Sequence, residues 1–345
     1  MNNPFDTCII IVNYNGWEDT VACLTSVFAT QDSSFRVVVV DNGSTNNSWE
    51  QMIHWAAGNL SAYATPNSFH RDHFTKARKV ISYEVVETPD AEPRNELPEL
   101  TLIRSARNGG FSYGNNVAIN YITPNSNWKY VWLLNNDTVV DKRALTALVA
   151  CRQASPTALT MVGSKLLYYY QPHRIQCVGG ARYSPWSAKS YQVGSGEVDH
   201  GQYHGENVSL DYISGASLLV SRSLVEQVGL LEEDYFLYFE EIDWVQRAKR
   251  LGPCALLYCE NSVVYHKEGA STGGSIEKSS FSALSEFYQL RNRIWITYRY
   301  FKRYLPAVYI VLGLTLLKRL GQGRWRRAFT ILRIMLTPHR AYSPH

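Results

Sequence analysis

The 345-residue chain lacks closely spaced cysteines. Its six thiols (Cys8, Cys23, Cys151, Cys177, Cys254, Cys259) are scattered without a CxxC, so neither a zinc site nor a disulfide framework is signalled. Repeats and low-complexity segments are absent, and because the first residues enter a strand almost at once, no export leader is expected. Reduced thiols without a leader make the cytoplasm the expected compartment. Charge is modest, 19% of residues against 45% hydrophobic, an ordinary globular balance with ample material for a buried core. Acidic residues are scarce at one end only. From Ser285 onward twelve Lys or Arg face the single acid Glu286, so the net +4 leaves the first 284 residues at −7. An acidic body with a basic end implies a C-terminal part that meets an anionic surface.

What is present is an alternation of short apolar runs and amphipathic stretches. Thr7 to Val12 and Phe35 to Val40 read as buried strands, with helical spacing between them from Trp17 to Ala29. Strand, helix, strand in this span is a βαβ unit, which implies a parallel sheet. Ser48 to Ala57 reads as the next helix. Residues 59–99, with four prolines and a possible strand at Val80 to Glu87, read as an insertion at the sheet edge. Further strands are expected at Leu100 to Arg104 and Tyr130 to Leu134, and helices at Phe111 to Ile122 and Asp141 to Ala150. Beyond Pro156 come strand pieces at Thr160 to Val162 and Lys165 to Tyr168, then hairpins and loops from Ile175 to Val208. A helix running from Glu240 to Leu251 stops at Gly252-Pro253. Strands at Ala255 to Leu257 and Ser262 to Tyr265 end at His266.

Five polar clusters follow these strands: Asn13 to Asn15, Asp41 to Ser44, Asn108 to Gly110, Asn135 to Asp137, and His266. Ligands of open α/β sheets bind outside the carboxyl ends of the strands, so the clusters are expected to converge on one crevice. Asn135-Asn136-Asp137 is the most telling, because a lone carboxylate there can hold a divalent cation against a phosphate. The plain alternative is an Asn-rich turn in which Asp137 caps a helix.

Taken in order, NYNG, VVVVDNGSTN, NGGFSYGNN, VWLLNNDT, SGASLLVSR, FLYFEEIDWVQR and VVYHKEGAS resemble a family 2 inverting glycosyltransferase. The NGGFSYGNN and FEEID forms are similar to its rhamnosyltransferase-like branch. The resemblance spans about residues 5 to 300 and is specific for the family, though not for the sugar. It implies an α/β GT-A fold: a mostly parallel Rossmann-like sheet with flanking helices, plus C-terminal amphipathic helices. It implies donor contacts from Asn13, Tyr14, Asn15, Asp41, Asn42, Asn108, Gly110, Asn116, Asn135 and Asn136. Tyr14 offers a stacking face, and Asp41 accepts from a base N–H or a sugar hydroxyl. Asp137 occupies the metal position for Mn²⁺ or Mg²⁺. Asn135 stands where the family has its first Asp, so the motif has one carboxylate, and metal affinity should be weak until the donor arrives. His266 matches a histidine that completes the metal site in some relatives. It reads equally as a strand-end histidine bonded to a loop.

Inverting transfer needs one base to deprotonate the attacking hydroxyl. Glu241 is the candidate and Glu240 the alternative, at a helix start behind an aromatic run. The neighbouring carboxylate and aromatics should raise the pKa, and the helix N-terminus should oppose this. Asp243 and Arg247 read as a structural i,i+4 pair. Ser214, Gly215 and Trp186 fall in the acceptor half, where Tyr183, Tyr191 and Tyr203 are further stacking candidates.

The expected organisation is a catalytic domain over 1–280 (donor half about 1–140, acceptor half about 141–280) and a basic helical region over 281–345. Leu305 to Leu317, thirteen apolar residues, is too short for a bilayer span of roughly 20. With Trp325 to Leu336 it suits helices lying on an anionic membrane surface across 302–336. The expected partners are a dTDP- or UDP-sugar, a glycan or lipid-linked glycan acceptor and the inner face of the plasma membrane, and no nucleic acid. Oligomeric state is left open. Readings of another class are a non-catalytic nucleotide-sugar scaffold and a basic nucleic-acid arm; retained acids argue against the first, and the apolar run inside the basic cluster against the second.

Overall fold

The structure, a computed structural model, describes residues 6–31, 34–59, 69–70, 82–88, 96–124, 128–205, 207–267 and 283–337. The first half runs β1 (Thr7–Asn13), α1 (Trp17–Val27), β2 (Phe35–Asp41), α2 (Ser48–Ala56), β3 (Tyr83–Val86), β4 (Leu100–Arg104), α3 (Gly110–Ile122), β5 (Tyr130–Asn135), β6 (Thr138–Val140) and α4 (Ala144–Ala154). The second half continues with β7 (Leu159–Tyr168), β8 (Gln171–Val178), β9 (Gly180–Ser184), β10 (Lys189–Gln192), β11 (Tyr212–Ile213), β12 (Ser217–Ser221), α5 (Arg222–Val228), α6 (Glu240–Leu251) and β13 (Cys254–His266). Three helices close the chain, α7 (Ala283–Tyr300), α8 (Leu305–Gly321) and α9 (Trp325–Leu336).

One sheet has the order β3-β4-β2-β1-β5-β12-β7-β13-β6, with β8 on β7. The strands β3, β4, β2, β1 and β5 are mutually parallel. β12 runs antiparallel to both β5 and β7. Two reversals cancel, so β7 and its parallel neighbour β13 point the same way as β1. The carboxyl ends of β1, β2, β5 and β13 therefore share one edge of the sheet. β9, β10 and β11 form a second, small sheet over that edge.

The strands read as unbroken apolar runs because helices cover both faces. Ile10, Val38, Val131 and Leu133 pack with Val117 and Ile119 of α3 and Trp244 of α6. The alternate residues Ile9, Ile11, Val37 and Trp132 pack with Leu24 and Val27 of α1, Met52 of α2 and Leu145 of α4. Full burial of each such side chain contributes about 1.5–3 kcal/mol.

Several expected boundaries shift. The paired pieces at 160–168 and at 255–265 are each one strand. In β13 the pairing with β7 jumps from Cys259↔Ser164 to Val263↔Lys165, a bulge that two separate strand signals had mimicked. α4 begins at Ala144 rather than Asp141, whose carboxylate instead accepts from the Arg143 N–H at 3.0 Å. Of the 59–99 insertion, β3 lies at the sheet edge beside β4, and residues 60–68, 71–81 and 89–95 are outside the described set. α8 has 17 residues, not thirteen, because Lys318 to Gly321 continue the helix. Together with its leading turn it is long and apolar enough to cross a membrane by length and composition, which removes the length argument made above. A core helix of a soluble protein passes the same test.

The three C-terminal helices are not a detached tail. Phe287, Leu290 and Ile294 of α7 pack with Tyr235, Phe239 and Ile242, and with Val308, Leu312, Ile331 and Ile334 of α8 and α9. Buried Glu286 ties all three together through Arg319 and, at 2.9 Å, Arg327.

Candidate active site

A cleft of about 1430 Å³ opens along the carboxyl edge of the sheet. That is large for one small ligand and suits two substrates side by side. Its lining includes Tyr14, Asn42, Asn108, Gly110, Asn135, Asn136, Asp137, Ser214, Gly215, Glu240, Glu241 and His266.

One wall of the cleft is a hydrogen-bonded frame. The Asn42 amide, at the end of β2, donates to Asn108 Oδ1 and to the Gly110 carbonyl, both at 3.0 Å. Asn108 Oδ1 also accepts from the Gly110 N–H at 3.0 Å. Gly110 has φ +88°, and a Cβ there would meet the Phe236 carbonyl at 2.1 Å, so only glycine fits. Asn13 and Asp41 are buried behind this wall rather than lining it. Asn13 Nδ2 donates to Asp41 Oδ1 at 2.8 Å, and Asn13 Oδ1 accepts from Gly16 N–H and Thr20 Oγ1 at the start of α1. Asn15 is exposed, and its side chain accepts from the Thr45 N–H at 2.8 Å, closing a turn beside the cleft.

Asp137 and His266 meet at the ends of β5 and β13, with Oδ1 and Nε2 3.0 Å apart. Gln176 Oε1 faces His266 Nδ1 at 2.9 Å. Gln176 accepts there, which directs the Nδ1 proton to it, so the gap between Nε2 and Asp137 must hold either a second proton or a cation. Burial works to raise the Asp137 carboxyl, but the charge and hydrogen bond of His266 prevail and hold it below its ordinary value. One carboxylate and one imidazole suit a divalent cation that takes its remaining ligands from phosphate and water. Among the described residues no group of three His, Cys, Asp or Glu gathers to make a closed protein cage. Asn135 Nδ2 lies 3.4 Å from His266 Nε2, at the rim of the pair. Asn136 Nδ2 donates to Thr20 Oγ1 at 3.1 Å and ties this turn to α1.

Glu240 and Glu241 enter from the first turn of α6. The turn before them is strained: Phe236, Tyr238 and Phe239 have φ of +62°, +68° and +78°. Such left-handed non-glycine residues cost of order 1–3 kcal/mol each and persist only where the surroundings hold them. Glu241 is half-buried and accepts from the Gly215 N–H at 3.0 Å through Oε1. Burial raises its carboxyl, while that bond and its own N–H work against the rise. Glu240 is buried, with Oε2 lacking a hydrogen-bond partner. Burial first, and then the Glu241 charge, push it well above the ordinary carboxylate range.

Other expected residues lie away from the cleft. Asn116 is buried between α3 and the segment before α6, where Nδ2 donates to the Leu231 carbonyl at 2.9 Å and to Glu233 Oε1 at 2.8 Å, a structural brace instead of a donor contact. Trp186 is 65% exposed outside the cleft lining, edge-on to Tyr304. Tyr183 is buried against Phe301 and Phe239, and Tyr203 packs on the cluster around Ile175 and Val178 with its hydroxyl donating to Glu197, and neither belongs to the cleft lining. Asp243 binds Arg247 at 2.7 Å and also accepts from Tyr300 at 2.6 Å. Sequence reasoning missed Gln176 behind His266, and Arg291 and Asn292 behind the Glu240 turn.

Residues 8–68 match the family model described as glycosyl transferase family 2, and residues 82–281 the one described as glycosyltransferase like family 2. The chain is 25% identical over 256 residues, 73% of its length and 66% of the relative's, to the low-salt glycan biosynthesis hexosyltransferase Agl10 of Haloferax volcanii. It is 39% identical over 62 residues, 18% of its length and 20% of the relative's, to the N-acetylglucosaminyl-diphospho-decaprenol L-rhamnosyltransferase of Mycobacterium tuberculosis. Among solved structures, GalNAc-T7 with UDP, GalNAc and Mn²⁺ aligns with a TM-score of 0.58 at 13% identity, over 90% of this chain and 50% of that one. The mannosyltransferase PcManGT of Pyrobaculum calidifontis with GDP-Man and Mn²⁺ aligns with a TM-score of 0.52 at 12% identity, over 98% and 90%. The chain thus spans just under two thirds of the haloarchaeal relative and half of the GalNAc-T7 chain. These two structures share its mixed α/β architecture, and the second family match covers more than half of the sequence. The chain belongs to glycosyltransferase family 2.

Proposed function

We propose that this protein is an inverting transferase that moves a sugar from a nucleoside diphosphate to a glycan or lipid-linked glycan acceptor, at a membrane surface. The observation that carries the reading is one cleft holding both the Asp137–His266 pair and the Glu240–Glu241 pair. Tyr14, Asn42 and Asn108 form the donor wall, with Asn135 and Asn136 at its floor. Asp137 and His266 are the residues that would hold Mn²⁺ or Mg²⁺. When bound, that ion neutralises the leaving diphosphate.

Glu241 is the base in this reading, and Glu240 stays neutral beside it. Two adjacent carboxyls cannot both ionise readily, and Glu240 is the more deeply buried of the two. Glu241 takes the proton of the acceptor hydroxyl as the oxygen bonds to the anomeric carbon from the face opposite the diphosphate. The carbon–oxygen bond to the diphosphate breaks, and its electron pair leaves with the phosphate. The Gly215 N–H fixes the Glu241 rotamer for this transfer. The donor we propose is dTDP-β-L-rhamnose, which gives an α-linked product; the NGGFSYGNN and FEEID forms and the mycobacterial relative's printed activity support it. The haloarchaeal relative's hexosyl activity supports a hexose donor as the second reading.

Peripheral attachment rests on α8 and α9. Ile310, Leu314, Leu317, Trp325, Phe329 and Leu336 are 62–72% exposed. Lys302, Arg303, Lys318, Arg324, Arg326 and Arg333 belong to the same segment. Apolar side chains set among basic ones fit an anionic bilayer interface.

The test is a nucleotide-sugar panel (dTDP-rhamnose, UDP-glucose, UDP-GlcNAc, UDP-galactofuranose) read by thermal shift with and without Mn²⁺, followed by transfer assays. A donor of this class should raise the melting temperature, and more so with Mn²⁺. Asp137→Ala should abolish the Mn²⁺-dependent part. Glu241→Gln should cut transfer by at least about 100-fold with donor affinity nearly intact. Full transfer by Glu241→Gln sinks the base assignment, and a panel with no stabilising donor sinks the reading itself.

A further inference from the structure

We propose that Asn292, on α7, is a positioning residue that holds the left-handed 236–239 turn and so fixes where Glu240 and Glu241 stand in the cleft. The proposal deepens the transferase reading and rests on it for the role of the two acids.

Asn292 is fully buried. Its Nδ2 donates to the carbonyls of Tyr235 at 3.0 Å, Leu237 at 2.9 Å and Tyr238 at 3.0 Å. Backbone carbonyls in such a turn have no ladder or helix to join, and buried ones need a donor from elsewhere. One amide with two hydrogens serves three of them through shared bonds. Asn292 is itself oriented, since Oδ1 accepts from Arg291 Nε at 2.9 Å. Arg291 extends the grip through the Asp234 carbonyl and, at 3.1 Å, the Tyr235 carbonyl. Its guanidinium lies 4.2 Å from the Trp295 ring centre.

The opposite side of the turn is held by the donor wall. The Phe236 carbonyl accepts from the Phe111 N–H at 2.8 Å, at the start of α3, and the Phe236 ring stacks on Tyr288 of α7 at 4.5 Å. The turn is thus clasped between the donor-side helix and α7, and the next covalent step beyond it is Glu240. A polar side chain at a fully buried helical position among aromatics is costly unless it does such a task. An apolar residue at 292 would take the Asn292 donor from the Leu237 and Tyr238 carbonyls, leave Tyr235 with Arg291 and the Leu237 N–H, and remove part of what offsets the strain of the left-handed turn.

The experiment uses the full chain with Asn292→Ala and Asn292→Ser, and the nucleotide sugar from the panel above that the wild type turns over. Measured are kcat and KM for that donor, the pH dependence of kcat, and hydrogen exchange of the 234–239 amides. Misplacing a catalytic group by about 1 Å costs about 100-fold, so Asn292→Ala should lose kcat on that scale with the donor KM within about twofold. Asn292→Ser, which retains one short donor, should lose less. As the turn loosens and water reaches the acids, the acidic limb of the profile should move to lower pH, and exchange should quicken at 234–239 but not in β1 or β5. Unchanged kcat with unchanged exchange in Asn292→Ala overturns the proposal, and so does failure of both variants to fold, which would mark Asn292 as a core residue. Exchange reads the clamp without turnover. A wild type inactive on every donor would sink the transferase reading and leave the exchange comparison to decide the clamp.

Discussion

At the scale of single residues, a carboxyl buried beside another carboxylate, with no cation to offset the burial, is harder to ionise, and Glu240 is the clearest instance. Its folded-state pKa lies above the ordinary 4.5 because burial, and then Glu241, penalise the charge. The native state therefore binds more protons than the unfolded state between the two values. This contribution to stability is full below about pH 4.5 and is lost as pH rises through the folded value. Glu240→Gln removes that loss. Its melting temperature should match wild type near pH 4 and exceed it by a few degrees at pH 8, as a thermal-melt series across pH will show; a difference of the opposite sign at pH 8 refutes the assignment. Asn42, Asn135 and Asp137 were legible in the sequence as cleft residues because each follows an apolar strand, a signal contained within a few residues, though the same signal also picked out Asn13 and Asp41, which lie behind the cleft wall. Gln176 and Asn292 were not, because their partners lie 90 and 54–57 residues away and no local pattern marks either. Trp186 and Tyr183 show the converse: an aromatic in a Gly-rich stretch reads the same whether it ends in solvent or in the core.

At the scale of elements, α7 packs both on the segment leading into α6 and on α8 and α9. Asn292 donates to the carbonyls of the turn before α6, and Glu286 on the same helix binds the arginines of α8 and α9. The two outer helices then present their remaining apolar residues outward. Trp325→Ser, Phe329→Ser and Leu336→Ser combined should abolish flotation with vesicles containing anionic lipid, while leaving the melting temperature within a few degrees, since these side chains are exposed. Binding that survives the triple variant, or binding to polynucleotide that outlasts vesicle binding at matched salt, would refute the membrane role. Helical periodicity made α8 and α9 visible in the sequence. Where α8 ends was not, because Lys318 and Arg319 look like a basic flank and are in fact its last turn.

At the scale of the whole molecule, the parallel half of the sheet followed directly from alternating strands and helices. The antiparallel β12 did not, because a five-residue apolar strand carries no mark of its direction. Its insertion between β5 and β7 is what returns β13 to the common direction and brings His266 beside Asp137. The bulge in β13 adds a further property. Cys259 pairs with Ser164, and Val263 pairs with the very next residue, Lys165. Glu260, Asn261 and Ser262 thus form a bulge within the strand, and the last four residues take their phase from β7 and not from Cys254. Excising all three should cost stability through the lost Ser164–Ser262 and Glu260–Gly205 bonds, yet leave Mn²⁺-dependent donor binding in place. Calorimetric titration of the deletion variant with the bound donor decides it, and loss of the metal dependence would show that the bulge helps to set the site. If the binding persists, this family member has an edge of its metal site that tolerates insertion and deletion a few residues upstream, a place where loops of new length could arise without disturbing the chemistry.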